Sequence, residues 1–384
     1  MKNVVGQAVR GKDFWDRKSE LAKIWQAIEN GTHPLLVAPR RVGKTSIMYK
    51  ILDEPKDDYA VVYVNTESAD SENDFWHKLF NALMDEEFKN KNKLVLKSFY
   101  ARIKTISIKK ISTSGIEFDD GKVLDYAEAF EELIKEIDSD KKLIIMMDEF
   151  AQTIENIIKY ASIREAESLL KTHRSLRQNP KISSKVTFIY AGSIGLESVV
   201  AKLDAMKFIN DLNSIKVTPL SKDEAVEFSR SLYPSIGDDE VSYLLGCIEW
   251  LIPFYIQLII QEIHTICLEK SLHGISKETI DQAIERALDH RNHFEHWLAR
   301  IKSAFEKDEF KFAKEILNSL SDQGTLESKE ISNLAVKHAL EDDQAKEIIH
   351  ALVYDGYINN DHNPKIYRFN SPILKLWWYK NVAN

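Results

Sequence analysis

The pattern of hydrophobic and polar residues divides the chain into regions of different predicted structure. From about residue 35 to residue 217, short apolar runs typical of buried strands alternate with longer segments of helical periodicity. This alternation predicts a parallel sheet flanked by helices. The predicted strands are residues 35–37, 60–64, 143–147, 186–191 and 215–217. Between the second and third strands, Ile-Ser-Ile and Ile-Glu-Phe flank a Ser-Thr-Ser-Gly turn, which predicts an inserted β-hairpin at about residues 104–122.

After residue 218 the pattern becomes almost entirely helical, with no further strand predicted until the C-terminus. Ser221 and Glu224 have the spacing of a capping box that starts a helix. From about residue 305, helices near residues 310–320, 328–337 and 343–354 precede two short predicted strands around a polar turn. Three helices and a two-stranded wing predict a winged helix. We therefore expect a core domain at residues 1–218, a helical domain at 219–304 and a winged helix at 305–384.

Composition narrows the class of protein. A chain of 384 residues with 44% hydrophobic and 29% charged residues is long enough for two or three globular domains. Its two cysteines, Cys247 and Cys267, lie in apolar helical segments, which excludes a disulfide framework and a cysteine zinc cluster. Residues 1–12 lack a signal-peptide core, and Pro253 interrupts the most apolar stretch. We expect a cytoplasmic protein with no membrane span.

The first motif with chemical meaning is the sequence Ala-Pro-Arg-Arg-Val-Gly-Lys-Thr at residues 38–45, between a predicted strand and a helix at 46–52. In a phosphate-binding loop, backbone N–H groups surround a triphosphate, lysine reaches its β- and γ-phosphates, and a hydroxyl holds Mg²⁺. Lys44 and Thr45 take these two roles. Ala38 replaces the usual first glycine, which the loop tolerates only without a positive φ there. The remaining predicted nucleotide contacts are Pro39, Arg40, Arg41, Val42, Gly43 and Ser46.

The second motif is a buried strand, residues 143–147, followed by Asp148 and Glu149. The first carboxylate suits support of Mg²⁺, and the second suits a general base that activates water. A pair of acids at a strand end can also be a solvated terminus. Its occurrence together with the phosphate loop favours nucleotide hydrolysis.

Further segments accompany these motifs: Arg-Gly-Lys-Asp at residues 10–13, Tyr-Ala-Gly-Ser at 190–193, and residues 367–373 followed by Trp377 and Trp378. Together with the two motifs they resemble the archaeal-type ATPases, which are related to the STAND and AAA+ ATPases. The resemblance covers nearly the whole chain. It implies an α/β, AAA+-like P-loop sheet of strand order 5-1-4-3-2, a helical lid and a C-terminal winged helix.

The resemblance also implies residue roles and a ligand. Ser193 corresponds to a polar sensor of the γ-phosphate, and Arg10 and Gly11 to a loop that packs on adenine, with Lys12 in place of the usual arginine. Pro253 corresponds to a lid segment near the base. The nucleotide implied is ATP, bound with Mg²⁺ and converted to ADP, and the chain has no guanine-reading Asn-Lys-x-Asp sequence.

Charge argues against DNA as the first choice of partner. The net charge is −8, and residues 301–384 hold 11 basic and 13 acidic residues. The third winged-helix segment begins Glu341-Asp-Asp, which would bring acids towards phosphates in a DNA groove. We therefore expect a protein contact or an autoinhibitory role for this domain. A basic run from Lys89 to Lys110 is a solvated helix face or, alternatively, a partner or nucleic-acid contact.

Two other sets of residues have ordinary structural explanations. Arg40, Arg41, Arg174 and Arg177 could stabilise phosphoryl charge, but solvated or structural roles are favoured and no arginine finger is assigned. His290, His293 and His296 recur every three residues, yet such spacing drifts around a helix, so a solvated face is favoured over a metal site.

The sequence predicts an ATP-dependent molecular switch that slowly hydrolyses MgATP and contacts a protein partner through its winged helix or lid. Homo-oligomerisation stays open. One alternative is a DNA-binding ATPase of initiator or transposition-helper type. Another is a scaffold that holds nucleotide without turnover.

Overall fold

A computed structural model describes residues 1–85, 108–112, 115–118, 123–135, 141–192 and 195–383. The chain forms two compact units. The sheet unit comprises Asp16–Ala38 and Lys44–Val217, and the helical unit comprises Met1–Trp15, Pro39–Gly43 and Thr218–Asn384. The segment Pro39–Gly43 therefore belongs to the helical unit, although the residues on both sides of it belong to the sheet unit.

Five parallel strands form the main sheet within the described part of the sheet unit, and along the sheet they lie in the order second, third, fourth, first and fifth. Counted along the chain as strands one to five, this order is the predicted 5-1-4-3-2. Each lies at a predicted position, and their bounds differ from the prediction by at most three residues. The bounds are β1 His33–Val37, β2 Tyr59–Asn65, β6 Lys142–Asp148, β7 Val186–Ala191 and β8 Leu212–Lys216.

The central strands of this sheet are continuous apolar runs because helices cover both of their faces. Every residue of β6 after Lys142 is buried, and so is every residue of β7. Serine side chains cap two of the covering helices, since Ser71 and Ser162 accept hydrogen bonds from backbone N–H groups. The helices are α1 Lys18–Glu29, α2 Lys44–Asp53, α3 Glu72–Met84, α4 Tyr126–Lys135, α5 Phe150–Tyr160, α6 Ile163–Gln178, α7 Pro180–Ser183 and α8 Leu196–Ala201.

The inserted segment contains short antiparallel strands. Strands β3 (Ile108–Ser112) and β4 (Gly115–Phe118) pair antiparallel, as the predicted hairpin requires. A third strand that was not predicted, β5 (Val123–Leu124), pairs with β4. Residues 86–107, which include most of the basic run, lie outside the described residues.

The helical unit continues from residue 218 with consecutive helices. Ser221 and Glu224 form the predicted capping box, with both reciprocal hydrogen bonds present. Pro253 is the first residue of the longest of these helices, where a proline costs no hydrogen bond. Their bounds are α9 Lys222–Leu232, α10 Asp238–Ile248, α11 Pro253–Glu269, α12 Lys277–Asp289 and α13 Arg291–Ala304.

The C-terminal part, where a winged helix was predicted, contains three helices followed or separated by three short antiparallel strands. Its helices are α14 Lys307–Gln323, α15 Ser328–Lys337 and α16 Asp342–Tyr354, and its antiparallel strands are β9 Thr325–Glu327, β10 Ile358–Asn359 and β11 Ile366–Phe369. The expectation of only two strands here is wrong. Strand β9 pairs with β11, and its three residues contain one apolar side chain, Leu326, too little to form a strand pattern.

Helix α17 (Pro372–Trp378) and a π-helical turn, Tyr379–Ala383, follow the wing. Trp377 and Trp378 are both buried, so the C-terminal segment is part of the core of the helical unit. Across the described ranges, no helix combines the length and apolar character needed to cross a membrane.

Candidate functional site

The phosphate-loop sequence connects the end of β1 to the start of α2. Ala38, in place of the first glycine of the pattern, is buried and does not have a positive φ, so the absence of glycine there causes no strain. Gly43 has φ +107°, a conformation that L side chains rarely adopt. Arg41 also has a positive φ, of +63°, and is therefore a strained residue inside the loop.

Lys44 is the first residue of α2 and is buried. Its ammonium group donates a hydrogen bond to the backbone carbonyl of Ala38, over 2.8 Å. A lysine at a helix N-terminus, held near the end of a strand by such a bond, can release the carbonyl and bind a phosphate oxygen instead.

Asp148 is the last residue of β6 and is 2% exposed. Its Oδ2 accepts a hydrogen bond from the Thr45 hydroxyl, over 2.8 Å, and another from the Tyr63 phenol, over 3.0 Å. Its Oδ1 accepts the backbone N–H of Glu149, over 3.1 Å. Burial raises the pKa of Asp148, whereas the hydrogen bonds from Thr45 and Tyr63 oppose that rise by stabilising the charged form.

The backbone of Asp148 is fixed as firmly as its side chain. Thr66, which follows β2, donates to the Asp148 carbonyl from both its backbone N–H and its hydroxyl, over 3.0 and 2.9 Å. The hydroxyl of Thr153 in α5 donates in turn to the Thr66 hydroxyl, over 2.7 Å. All three residues are buried, so the strand end where the two predicted acids lie is rigidly held.

Glu149 follows Asp148 at the N-cap position of α5, in the left-handed conformation with φ +56° and ψ +32°. This conformation costs an L residue about 1 kcal/mol or more. It turns the chain sharply between strand and helix and is the kind of local strain that clusters at functional sites. Unlike Asp148, Glu149 is only half-buried.

Ser193, the predicted γ-phosphate sensor, lies outside the described residues. Strand β7, which precedes it, ends at Ala191. Behind that strand, Arg177 is 5% exposed and forms a double hydrogen bond with Asp211, while its third nitrogen donates to the buried Tyr190 hydroxyl. Arg177 therefore has the structural role that was favoured for it. Arg174, in contrast, bonds Asn210 at the surface.

Of the remaining predicted nucleotide contacts, Ser46 is buried in α2 of the sheet unit, and the others lie in the helical unit. Gly11 begins a short 3₁₀ turn, Gly11–Asp13, with Arg10 at its N-cap, and Pro253 begins α11. Arg41 lies with its guanidinium carbon 3.9 Å from the centroid of the Phe254 ring, and its Nη2 is 3.3 Å from Nδ1 of His296.

Each histidine of the predicted helical triplet has a different environment. His290 is hydrogen-bonded to Glu262, and the His293 ring packs against Phe254. His296 is partly buried beside Arg41, and this burial together with that positive charge lowers its pKa to about 2. The described residues contain no group of three or more histidine, cysteine or carboxylate side chains placed to hold a metal ion. The prediction of a solvated face is wrong for His296, because its Nδ1 bonds Arg41 and its Nε2 is shielded from solvent.

The arrangement in the sheet unit matches the needs of a magnesium–phosphate site. A hydroxyl from the helix start and a carboxylate from a strand end are joined by a hydrogen bond, and a lysine ammonium lies one residue from the hydroxyl. Oxygen donors of this kind suit Mg²⁺, which usually retains several waters and binds substrate phosphates. A second carboxylate adjoins the first, where it can orient and deprotonate water.

Sequence reasoning missed Tyr63 and Thr66 as parts of this site. Tyr63 lies inside a predicted strand, where it was counted among apolar residues. The Asp148 carboxylate that accepts its hydrogen bond is 85 residues away along the chain. Thr66 lies just beyond the same strand. The only available signal was its position, because the carboxyl ends of neighbouring parallel strands meet at one edge of a sheet.

Comparison with known proteins gives a family match and structural neighbours. Residues 14–243 match a family model described as an ATPase domain predominantly from Archaea. The Walker-type ATPase of Pyrococcus abyssi has a similar structure, with a TM-score of 0.66 at 17% identity, covering 98% of this chain and 99% of that one. The ORC2 protein of Aeropyrum pernix, in its ADPNP–ADP complexes, has a TM-score of 0.58 at 10% identity, covering 95% and 92%. No curated protein matches by sequence.

Proposed function

Because the chain belongs to the family of ATPase domains found predominantly in Archaea, we propose that it binds MgATP and hydrolyses it to ADP and phosphate. The observation that carries this proposal is the 2.8 Å hydrogen bond from the Thr45 hydroxyl to Asp148. It joins the two sequence motifs, 103 residues apart, in the pairing that a magnesium–nucleotide site needs.

In this proposal each residue of the sheet-unit site has a distinct task. Lys44 exchanges its bond with the Ala38 carbonyl for the β- and γ-phosphates, and Thr45 contributes a hydroxyl oxygen to Mg²⁺. Asp148 orients that hydroxyl and supports the ion, and Glu149 takes a proton from the attacking water. When bound, Mg²⁺ would neutralise charge that develops on the phosphate oxygens. Ser193 is proposed as the γ-phosphate sensor.

The other nucleotide contacts rest on the motif and on the family. The backbone N–H groups of the loop would surround the phosphates. The proposed phosphate contacts are therefore Arg40, Val42, Gly43 and Ser46, and Pro39 and Arg41 belong to the same loop. Arg10, Gly11 and Pro253 are proposed to contact the adenine. The neighbour in Aeropyrum pernix, whose structure has the nucleotides ADPNP and ADP, supports ATP as the ligand.

We further propose that nucleotide state acts as a conformational switch. The domains would be a core at residues 1–218, a lid at 219–304 and a winged helix at 305–384, and the last would contact a protein partner. Helix α16 begins with two acidic residues, Asp342 and Asp343, which are both exposed. Their negative charge favours a protein over DNA as the binding partner of that helix. A DNA-binding ATPase and a non-hydrolysing scaffold are the alternatives, and homo-oligomerisation is compatible with each of them.

The test is phosphate release from MgATP by wild type, Lys44→Ala and Glu149→Gln, each with and without duplex DNA and with the oligomeric mass measured. Turnover that Lys44→Ala and Glu149→Gln both abolish supports the proposal. Stimulation of turnover by DNA favours the DNA-binding alternative. ATP binding without turnover under any condition contradicts hydrolysis and favours the scaffold.

A further inference from the structure

The phenol of Tyr63 is the least expected member of the site. It projects from β2, the strand beside β6, and reaches the oxygen of Asp148 that also accepts the Thr45 hydroxyl, over 3.0 Å. A phenol keeps its proton near neutral pH, so Tyr63 is the donor and the Asp148 carboxylate the acceptor in this bond. We propose that Tyr63 is a positioning residue, which fixes the Asp148 carboxylate in the orientation needed to support Mg²⁺.

The hydrogen bonds leave Asp148 little freedom. A carboxylate offers about four acceptor sites, two on each oxygen. Within the described residues, Oδ2 accepts from Thr45 and Tyr63, and Oδ1 accepts from the N–H of Glu149. Counting the described residues alone, these contacts leave one acceptor site, on Oδ1. This favours support of the ion through a metal-bound water on Oδ1 over direct coordination by Oδ2.

Tyr63 matters because the other donor to Oδ2 is itself the proposed metal ligand. If Thr45 alone held Oδ2, the only other hydrogen bond on the carboxylate among the described residues would be the one from the adjoining Glu149 N–H to Oδ1. Tyr63 ties that oxygen to β2, which pairs with β6 along its whole length, up to Asn65 beside Asp148. Outer groups that orient metal-supporting side chains in this way typically change metal affinity about 10-fold or more when removed.

The inference rests on the proposed function, because it concerns Mg²⁺ at the same site. The test compares wild type, Tyr63→Phe and a matched control, Tyr59→Phe. Tyr59 lies at the opposite end of β2, packed against Trp25. Its replacement by phenylalanine removes the same phenol hydroxyl at a distance from the site. For each protein, ATP binding is titrated without metal, in EDTA, and then with increasing Mg²⁺.

We expect Tyr63→Phe to raise the Mg²⁺ concentration for half-maximal enhancement of ATP binding about 10-fold. The metal-free ATP affinity of Tyr63→Phe should equal that of wild type. In Tyr59→Phe, both the metal-free ATP affinity and the Mg²⁺ requirement should equal those of wild type. An unchanged Mg²⁺ requirement in Tyr63→Phe, while wild type responds to Mg²⁺, overturns the positioning role alone. An equal loss of metal-free affinity also overturns it, because that result describes a general structural defect. Wild-type ATP binding that is absent or insensitive to Mg²⁺ overturns the proposed MgATP function and this inference with it.

Discussion

The guanidinium carbon of Arg41 lies 3.9 Å from the centroid of the Phe254 ring, a cation–π distance inside the helical unit. The same guanidinium bonds His296 through Nη2, and burial lowers the pKa of Arg41 to about 10, which leaves it charged near neutral pH. A loop residue that was predicted to contact the nucleotide is therefore engaged with α11 and α13. In this conformation its charge stabilises packing within the helical unit.

The first prediction concerns the strength of this contact. Arg41→Ala, Phe254→Leu and the double variant should give a coupling free energy of about 1–2 kcal/mol, because the cation–π pair is largely desolvated. The measurement is urea-induced unfolding of the full chain. Arg291→Ala, which removes an exposed arginine at the start of α13, should change the free energy of unfolding by less than about 0.5 kcal/mol. Additive effects of Arg41→Ala and Phe254→Leu would contradict a direct interaction.

Much of the fold was predictable because it depends on patterns that are local in sequence. The five strands of the main sheet are apolar runs bounded by polar turns, and the capping box at Ser221 depends on residues three apart. The strand order could not be predicted in this way, because no local pattern in the sequence contains it. Only the family resemblance implied the order. Strand β9 was missed because Leu326 is its only apolar residue.

The site was predictable only in part, for a related reason. Lys44, Thr45, Asp148 and Glu149 lie in two contiguous motifs whose residue types carry their chemistry. The residues that hold these side chains in place lie outside the two motifs. Tyr63 bonds Asp148 from 85 residues away along the chain. Arg41 lies inside the first motif, but its partner His296 is 255 residues away, and only the folded chain brings such residues together. Side-chain contacts of this kind leave no spacing that a single sequence displays.

The second prediction concerns the ion pair behind β7, in which Arg177 is buried and Asp211 is partly exposed. Arg177 and Asp211 share two hydrogen bonds of 2.8 Å, and the side chain of Arg177 is 2% exposed. Asp211→Ala should lower the free energy of unfolding by about 3–5 kcal/mol, because it leaves a buried guanidinium without its counter-charge. Arg174→Ala, on the same helix but bonded to Asn210 at the surface, should cost less than about 0.5 kcal/mol. Equal costs in urea titrations would be evidence against a structural role for the pair.

The third prediction concerns pH. Burial, with Arg177 nearby, lowers the pKa of His33 from its ordinary 6.5 to about 4, and its Nδ1 accepts the backbone N–H of Phe188. Between pH 6.5 and 4 the unfolded state thus binds a proton that the folded state does not. The stabilisation is complete above pH 6.5 and is lost as the pH falls towards 4, with a slope of about 1.4 kcal/mol per pH unit from this residue.

His33→Asn tests this assignment, because the Asn oxygen can accept the same N–H and does not titrate. Between pH 6.5 and 4, the free energy of unfolding of the variant should depend less steeply on pH than that of wild type, by about 1.4 kcal/mol per pH unit. Urea titrations at a series of pH values measure this slope. His273→Asn, at an exposed position, should keep the wild-type slope. A His33→Asn slope equal to that of wild type would mean that this histidine is not the source of the acid sensitivity.

The last prediction separates the two properties of Glu149, its carboxylate and its left-handed backbone. Glu149→Gln keeps the side-chain shape and the φ of +56°, so it should bind ATP as wild type does, while phosphate release falls about 10²–10⁴-fold through loss of the base. Glu149→Gly also lacks the base, but glycine adopts a positive φ without strain. It should therefore be equally inactive and yet raise the free energy of unfolding by about 1 kcal/mol over Glu149→Gln. Phosphate release and urea unfolding of both variants give the comparison. Equal stability of the two would show that the turn after β6 stores no strain, and turnover retained in both would remove Glu149 from the reaction.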